Sequence, residues 1–381
     1  MALSATTSSC RRLFLLHVTL KGVKCDVGDP SSWTCRLGAR RHLLSEDVIK
    51  LQEFQRRKVA LTFKHGGKGE YVQAFKHKLD RNERILRDEL KELLHLCQTP
   101  EDMVVAKAAI CRYHEENQNV PRMDFKFGPL FMRLCYELNM EEMAADTIKD
   151  KTLKGFFPDS TSFNIVMDML FTKGRYEMAL EVLTDMRSQG VLFNKHSYIL
   201  AFAICYKLNS QRSYRICTTI LEEAQLKGLL VPRHAYCFAV ALAIKQGDTE
   251  KAKSLYSQIM STNRISQNLQ VYVLALNGAW NDVLSMLTQA MDPRSPFVKK
   301  PEFSQEVVDA VQRYGEQNPS FRHRVKQVLA RLQQSGQVTS LTLDEMLCFT
   351  PSDQARPFSK MMQTKNVYRA PGALQSALLS E

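Results

Sequence analysis

Residues 160–194 read STSFNIVMDMLFTKGRYEMALEVLTDMRSQGVLFN, and this stretch decides the fold. Its apolar residues stand at i, i+3, i+4 and i+7 on either side of a Lys-Gly dipeptide, with Phe163, Val166, Met167 and Leu170 before it and Tyr176, Ala179, Leu180 and Leu183 after it. That spacing predicts two amphipathic helices. Gly174 breaks the first helix, and Gly190 supplies the left-handed residue with which many helices end. Two helices this short cannot bury their apolar faces alone, so similar pairs must stack against them.

The same register recurs along the chain at a nearly constant shift. Phe163, Gly174 and Ala179 are followed 35 residues later by Tyr198, Asn209 and Tyr214, and after 38 more by Tyr236, Gly247 and Ala252. Residues 125–159 form a degenerate copy, 268–289 begin another, and 90–120 are a weaker candidate. Self-similarity at this period predicts an all-α solenoid. Its long groove favours holding an extended ligand over catalysis.

The clearest unit carries a more specific signature. It opens with Phe163-Asn164, turns at Lys173-Gly174, continues as Glu-x-Ala-Leu at 177–180 and closes as Met-(x)3-Gly at 186–190. In these features it resembles the pentatricopeptide repeat, and the period argues against the related tetratricopeptide repeat. The resemblance covers roughly residues 125–289. It implies a right-handed solenoid of helix-turn-helix repeats with flanking helices.

Proteins of that family read about one RNA base per repeat with two or three side chains. Carried onto the matching positions, the resemblance implies these candidate RNA-binding residues: Thr161, Asn164, Asn194, His196, His234 and Gln267. In the second and third units, Ile199, Pro232 and Cys237 depart from the polar residues that base reading needs. About four repeats at one base each would specify a four-nucleotide sequence, which occurs by chance once in about 256 nucleotides. Further contacts, a structured RNA or a partner protein are therefore expected.

Several of these candidates have a structural alternative. Asn194 precedes a helix and can serve as its N-cap, as Asp159 can for the helix before it. His196 and His234 stand in matching register, which suits stacking on a base but also suits an ordinary surface position at a helix start. Asn164 is expected to present a bare amide to the groove, because an amide on an otherwise apolar helix has little structural purpose.

The N-terminus has the composition of a mitochondrial transit peptide. Residues 1–41 hold seven basic side chains (Arg11, Arg12, Lys21, Lys24, Arg36, Arg40 and Arg41) against two acidic ones (Asp26 and Asp29), with frequent Ser and Thr. This predicts import into the mitochondrial matrix through residues 1–45. A secretory signal fits less well, since the apolar run is short and Lys21 and Lys24 interrupt it. An unremarkable basic tail is the other alternative. No stretch of the chain approaches the ~18 apolar residues of a membrane span.

The net charge of +12 is unevenly distributed. Residues 1–96 hold 19 basic and 11 acidic groups, a net of +8, whereas residues 125–290 hold 18 and 15, a net of +3. A basic surface favours a polyanion as partner. The run from Arg56 to Lys78 is the strongest electrostatic candidate, and a solvated helix and loop ahead of the solenoid is its alternative.

No catalytic or metal-binding motif stands out. The ten cysteines include no C-x-x-C, and the nine histidines show no H-E-x-x-H or zinc-ligand spacing. Residues 64–69, KHGGKG, lack the P-loop pattern and read as a flexible basic loop. We therefore expect no cofactor, no metal and no enzymatic activity. Cysteines without a disulfide pattern are typical of a reducing compartment.

These observations predict five segments: a transit peptide at 1–45, a basic helical region at 46–124, repeats at 125–290, capping helices at 291–349 and a loosely ordered tail at 350–381. The clearest repeats are 160–194, 195–232 and 233–267. The expected function is non-catalytic binding of single-stranded mitochondrial RNA that assists transcript maturation, together with a protein partner from the RNA-processing machinery. The alternative is a helical-repeat scaffold whose groove binds a protein.

Overall fold

The computed structural model describes residues 42–65, 68–117, 125–292 and 300–349. Residues 1–41, which make up most of the predicted transit peptide 1–45, and the predicted tail 350–381 lie outside them. The first nine helices are α1 Glu46–Ile49, α2 Leu51–His65, α3 Lys68–Asp80, α4 Arg87–Leu96, α5 Pro100–Asn117, α6 Phe127–Glu137, α7 Glu141–Ile148, α8 Ser160–Thr172 and α9 Tyr176–Ser188. The next nine are α10 Lys195–Leu208, α11 Gln211–Leu226, α12 Arg233–Lys245, α13 Thr249–Tyr256, α14 Arg264–Leu276, α15 Trp280–Met291, α16 Gln305–Glu316, α17 Pro319–Gln334 and α18 Leu343–Leu347. A 3-10 turn at Lys151–Leu153 and two short strands, β1 Phe303–Ser304 and β2 Val338–Thr339, complete the described elements.

The helices from α6 to α17 form consecutive pairs that stack in chain order. The first helices of the pairs contact one another in series, α6 with α8, α8 with α10, α10 with α12, α12 with α14, and α14 with α16. Each also contacts the second helix of its own pair. The predicted all-α solenoid of stacked helix pairs is confirmed.

Helix α8 shows why the first helices form the inner layer. The predicted stripe residues Phe163, Val166 and Leu170 are fully buried, and so are the residues between them from Ser162 to Phe171. A helix that is apolar on all sides is stable only when neighbours cover every side. Helix α8 meets this condition because α6, α9 and α10 all pack against it.

The turns within the pairs follow the predicted register. Left-handed backbone lies at the turns of the first five pairs, on Asn139 (φ 55°), Gly174 (φ 76°), Asn209 (φ 46°), Gly247 (φ 75°) and Gly278 (φ 70°). Glycine has no steric penalty in this conformation, and Asn tolerates it better than most residues do. This explains why the turn position that recurs in the sequence holds only Gly or Asn.

The helices that were expected to cap the array continue it. Helix α16 packs on α14 and α17 packs on α15, so they form one more pair in the series. A parallel pairing of β1 with β2, which the sequence did not predict, ties the residue before α16 to the segment after α17. Among the described helices, none has both the length and the apolar character that crossing a membrane requires.

Candidate nucleic-acid interface

Asn164, the leading candidate for a base contact, lies inside the stack. Its side chain is 1% exposed. Its Nδ2 donates to Asn194 Oδ1 at 3.1 Å, and its Oδ1 accepts a hydrogen bond from Ser197 Oγ at 2.9 Å. The expectation of a bare amide facing the groove is therefore wrong, because both polar ends of the amide are satisfied by the next repeat.

Asn194 is the N-cap of α10, one of the two roles considered for it. Its Oδ1 accepts from the backbone N–H groups of His196 (2.9 Å) and Ser197 (3.0 Å), and its Nδ2 donates to Ser160 Oγ at 2.8 Å. The two asparagines thus link the start of α8 to the start of α10. The side chain of Asp159 makes no capping hydrogen bond, and instead its Oδ2 lies 3.4 Å from Lys126 Nζ.

The same asparagine link recurs three pairs later, at a residue the sequence analysis did not single out. Asn268 is the fifth residue of α14, as Asn164 is of α8, and it is fully buried. Its Nδ2 donates to the carbonyl of Glu302 at 2.9 Å, and its Oδ1 accepts from the N–H of Ser304 at 2.7 Å. The shared register was the available signal. In both pairs, an Asn at this position joins one repeat to the next.

Gln267 does not close the third unit as predicted. Helix α14 begins at Arg264 with Asn263 as its N-cap, so Gln267 lies in the first turn of the pair formed by α14 and α15. The register shifts because α13 has only eight residues. The Gln267 side chain lines an open cavity of about 640 Å³ together with residues that include Gln270 and Asp282.

The remaining three candidates are the second residues of α8, α10 and α12. Thr161 and His196 are partly exposed, and burial together with Lys195 lowers the pKa of His196. His234 instead packs within the protein. Its Nε2 lies 2.7 Å from the carbonyl oxygen of Leu347, and its ring stacks on Phe238 with centroids 5.0 Å apart. The ring surface expected to stack on a base is thus partly occupied by the protein itself.

The surface of the first helices that was expected to form the groove is partly covered by distant segments of the chain. The backbone N–H groups of Leu43 and Leu44 donate to Asp168 Oδ1 on α8 at 2.8 and 3.2 Å, and both leucines are buried. Asp168 is fully buried by this contact. The groove expected over α8 is therefore occupied by the segment that precedes α1.

Helix α18 covers the same surface further along. It contacts α12 and α14, and its Asp344 forms an ion pair with Lys207 of α10 at 2.6 Å. Glu306 of α16 accepts a hydrogen bond from the N–H of Leu343 at 3.1 Å. The first-helix surface, where base reading was expected, thus offers little open area to a ligand in this conformation.

Four cations of the basic run at 56–78 are paired, whereas the exposed Arg56 and Lys76 have no carboxylate partner among the described residues. Arg57, Lys58, Lys64 and Lys78 form ion pairs with Glu53, Glu137, Glu92 and Glu89, in that order, with N···O distances of 2.6 to 2.9 Å. These partners lie on α2, α6 and α4. This arrangement favours the interpretation of the run as solvated helices over that of a phosphate-binding surface.

Unpaired cations instead follow one edge of the stack. The turns that lead from each second helix to the next first helix lie on this edge, and they carry five exposed cations: Lys151, Lys154, Lys195, Lys227 and Arg233. In the residues described here, none of the five has a carboxylate partner, and Arg233 donates only to the hydroxyl of Ser261 at 2.8 Å. We call these five residues the cationic edge.

In the described residues, one cluster of titratable groups forms around His42, which lies within hydrogen-bond distance of Asp168 and Tyr136. No group of three or more His, Cys, Asp or Glu side chains in that part of the chain could hold a metal ion. Burial raises the pKa of the Cys97, Cys205 and Cys237 thiols to about 12. At neutral pH these three thiols are protonated and poorly nucleophilic.

Comparisons with known proteins agree with this architecture. A family model described as mitochondrial 28S ribosomal protein S27 matches residues 36–353. Relatives named "Pentatricopeptide repeat-containing protein 2, mitochondrial" include one from Danio rerio, 51% identical over 350 residues that cover 91% of each chain. The relative from Xenopus laevis is 47% identical over 351 residues (91% of this chain, 92% of the relative), and that from Homo sapiens is 45% identical over 363 residues (93% of each).

Proposed function

Because the chain belongs to the family described as mitochondrial ribosomal protein S27, together with relatives named pentatricopeptide repeat-containing protein 2, we propose that it is a non-catalytic RNA-binding protein of the mitochondrial matrix. Its proposed role is to assist the maturation of mitochondrial transcripts, and thereby expression of the respiratory chain, with a protein partner from the RNA-processing machinery. The names of the relatives support the compartment, and the repeat architecture supports the ligand.

The observation that carries the proposal is the cationic edge. Its five cations recur over three successive turns of the stack and have no carboxylate partner among the described residues. Repeated unpaired cations can follow the regularly spaced phosphates of a single strand, and each neutralised phosphate releases a counterion. Among the earlier candidates, Thr161 and His196 keep exposed surface and stay proposed RNA contacts. Gln267, which lines an open cavity, also stays a proposed contact. Asn164, Asn194 and His234 are engaged by the protein itself, so they can contact RNA only through atoms that this packing leaves accessible.

The test is RNA affinity as a function of salt, measured by fluorescence anisotropy with a pyrimidine-rich single strand. The double variant Lys195→Gln/Lys227→Gln should bind more weakly, and its log K against log[salt] slope should be shallower by about 1.4, since each phosphate contact contributes roughly 0.7. Arg212→Gln/Arg215→Gln is the matched control, since it removes two exposed cations from the start of α11. Equal losses in both variants, or no binding by the native protein, would refute the proposal.

A protein-binding scaffold is the second candidate, and a different observation favours it. Leu192, Leu230 and Met260 are 86%, 95% and 95% exposed, and each lies in a turn between successive pairs. Exposed apolar residues in a row are typical of a protein interface. Under this alternative, Leu192→Ser/Leu230→Ser should abolish recovery of a stoichiometric protein partner from mitochondria while RNA affinity stays unchanged.

The import signal is proposed to end before His42. Leu43 and Leu44 belong to the predicted segment 1–45, yet they pack into the fold. The mature protein therefore needs them. A fluorescent fusion that lacks residues 1–41 should remain in the cytosol. Its accumulation in mitochondria would show that the targeting signal lies elsewhere in the chain.

A further inference from the structure

A cavity of about 650 Å³ lies at the start of the cationic edge. The end of α5, the start of α6 and the segment that follows α7 form its walls. It is lined by three phenylalanines (Phe125, Phe127 and Phe156), three lysines (Lys126, Lys151 and Lys154), and the polar residues His114, Asn117 and Thr152 among others. Its volume lies within the range of about 300–1,000 Å³ that small-molecule sites occupy.

His114 is the most informative residue of this cavity. Its side chain is only 9% exposed, and its ring meets Phe156 edge-on at 5.7 Å between centroids. Within the described part of the chain, neither ring nitrogen has a hydrogen-bond partner. Although the side chain is largely buried, neither ring nitrogen is fully buried, so both remain accessible from the cavity and can hydrogen-bond a ligand.

The other walls supply two further kinds of contact. The aromatic side is held together by edge-on ring packing, with Phe125 and Phe127 at 4.8 Å between centroids. On the polar side, Asn117 Nδ2 donates to the carbonyl of Tyr113, and no donor among the described residues contacts its Oδ1. At the rim, Lys151 and Lys154 are exposed and have no carboxylate partner among the described residues, whereas Lys126 lies 3.4 Å from Asp159.

We infer that this cavity binds one nucleotide of a single-stranded RNA. The base would lie against Phe125, which unlike Phe127 and Phe156 is partly exposed, with its edge hydrogen-bonded to His114 and Asn117. The adjoining phosphates would contact Lys151 and Lys154. This combination of aromatic surface and cationic rim is how proteins bind single strands. The inference rests on the proposed function, because the strand would continue along the cationic edge.

The covering of the first-helix surface supports the cavity as the place where RNA binds. That surface is covered by residues 42–44 and by α18, whereas the cavity is open and lies beside cations that are free to bind phosphate. An RNA can therefore reach the cavity without displacing any described segment of the protein.

The test uses two variants that affect the site in different ways. His114→Phe keeps an aromatic ring against Phe156 but removes the hydrogen-bonding nitrogens, so RNA affinity should fall by roughly fivefold to tenfold with an unchanged salt slope. Lys151→Gln/Lys154→Gln should also lower affinity, and should make the salt slope shallower by about 1.4. The second variant changes only exposed side chains, so it remains informative even where His114→Phe impairs folding.

Three outcomes decide the inference. Photocrosslinking of RNA to the segments around His114 and Lys151, lost in both variants, would support it. If both variants bind RNA like the native protein while Lys195→Gln/Lys227→Gln binds weakly, the cavity inference is wrong and the proposed function stands. If uridine and adenosine monophosphates bind the cavity and a single-stranded RNA does not, the ligand is a free nucleotide and the inference is overturned.

Discussion

Substituting Asn164 with alanine separates a structural role from RNA contact. The substitution removes the hydrogen bond from Asn164 Nδ2 to Asn194 Oδ1 and the one from Ser197 Oγ to Asn164 Oδ1. Each bond contributes about 1 kcal/mol net. Ser197 Oγ keeps a second acceptor, Asn194 Oδ1 at 3.2 Å, so it is not left unsatisfied. The free energy of unfolding should therefore fall by about 2 kcal/mol.

The assay measures urea unfolding, thermal unfolding and RNA affinity on the same preparations. For a domain of about 150–250 residues, a loss of 2 kcal/mol lowers the melting temperature by roughly 4–8 °C. The drop should be somewhat smaller here, because the folded part of this chain is larger. Thr161→Ala, three residues earlier on the same helix, is the matched control, since Thr161 is partly exposed. It should leave stability unchanged. The reasoning would be refuted if Asn164→Ala weakened RNA binding without lowering stability.

Three further predictions follow from buried contacts. Asn268→Ala should cost about 2–3 kcal/mol in urea unfolding, more than Asn164→Ala, because the buried N–H of Ser304 loses its acceptor; an equal cost would contradict this. Burial, with Arg233 nearby, lowers the pKa of His234 in the folded protein. The unfolded chain therefore takes up a proton at higher pH than the folded protein does, and stability falls as the pH drops below about 6.5. The variant His234→Gln should reduce the difference in melting temperature between pH 7.5 and 5.5, whereas His77→Gln, at an exposed position, should not. Deleting residues 1–45 should lower the melting temperature relative to deleting 1–41, because burying Leu43 and Leu44 contributes about 1.5–3 kcal/mol each; identical melting temperatures would contradict the packing of this segment.

The sequence by itself determined the helix pairs and their turns. The stripe of Phe163, Val166 and Leu170, and the Gly or Asn at the turns of the first five pairs, depend on contacts within a few residues of one another. Such local preferences are written directly into spacing and residue type. For the same reason the cap formed by Asn194 was among the roles that sequence could offer, although its bond to Ser160 was not.

Only the tertiary structure decided which surfaces remain open. The contact between Leu43 and Asp168 spans 125 residues, and the one between Lys207 and Asp344 spans 137. The repeat spacing in the sequence cannot predict such contacts, because they form only where the complete stack places two distant segments side by side. The burial of Asn164 has the same origin: its partners belong to the next repeat, so whether its amide meets solvent or protein was settled by stacking. A polar residue on an apolar helix indicates that a hydrogen-bond partner is needed, but only the folded structure identifies that partner.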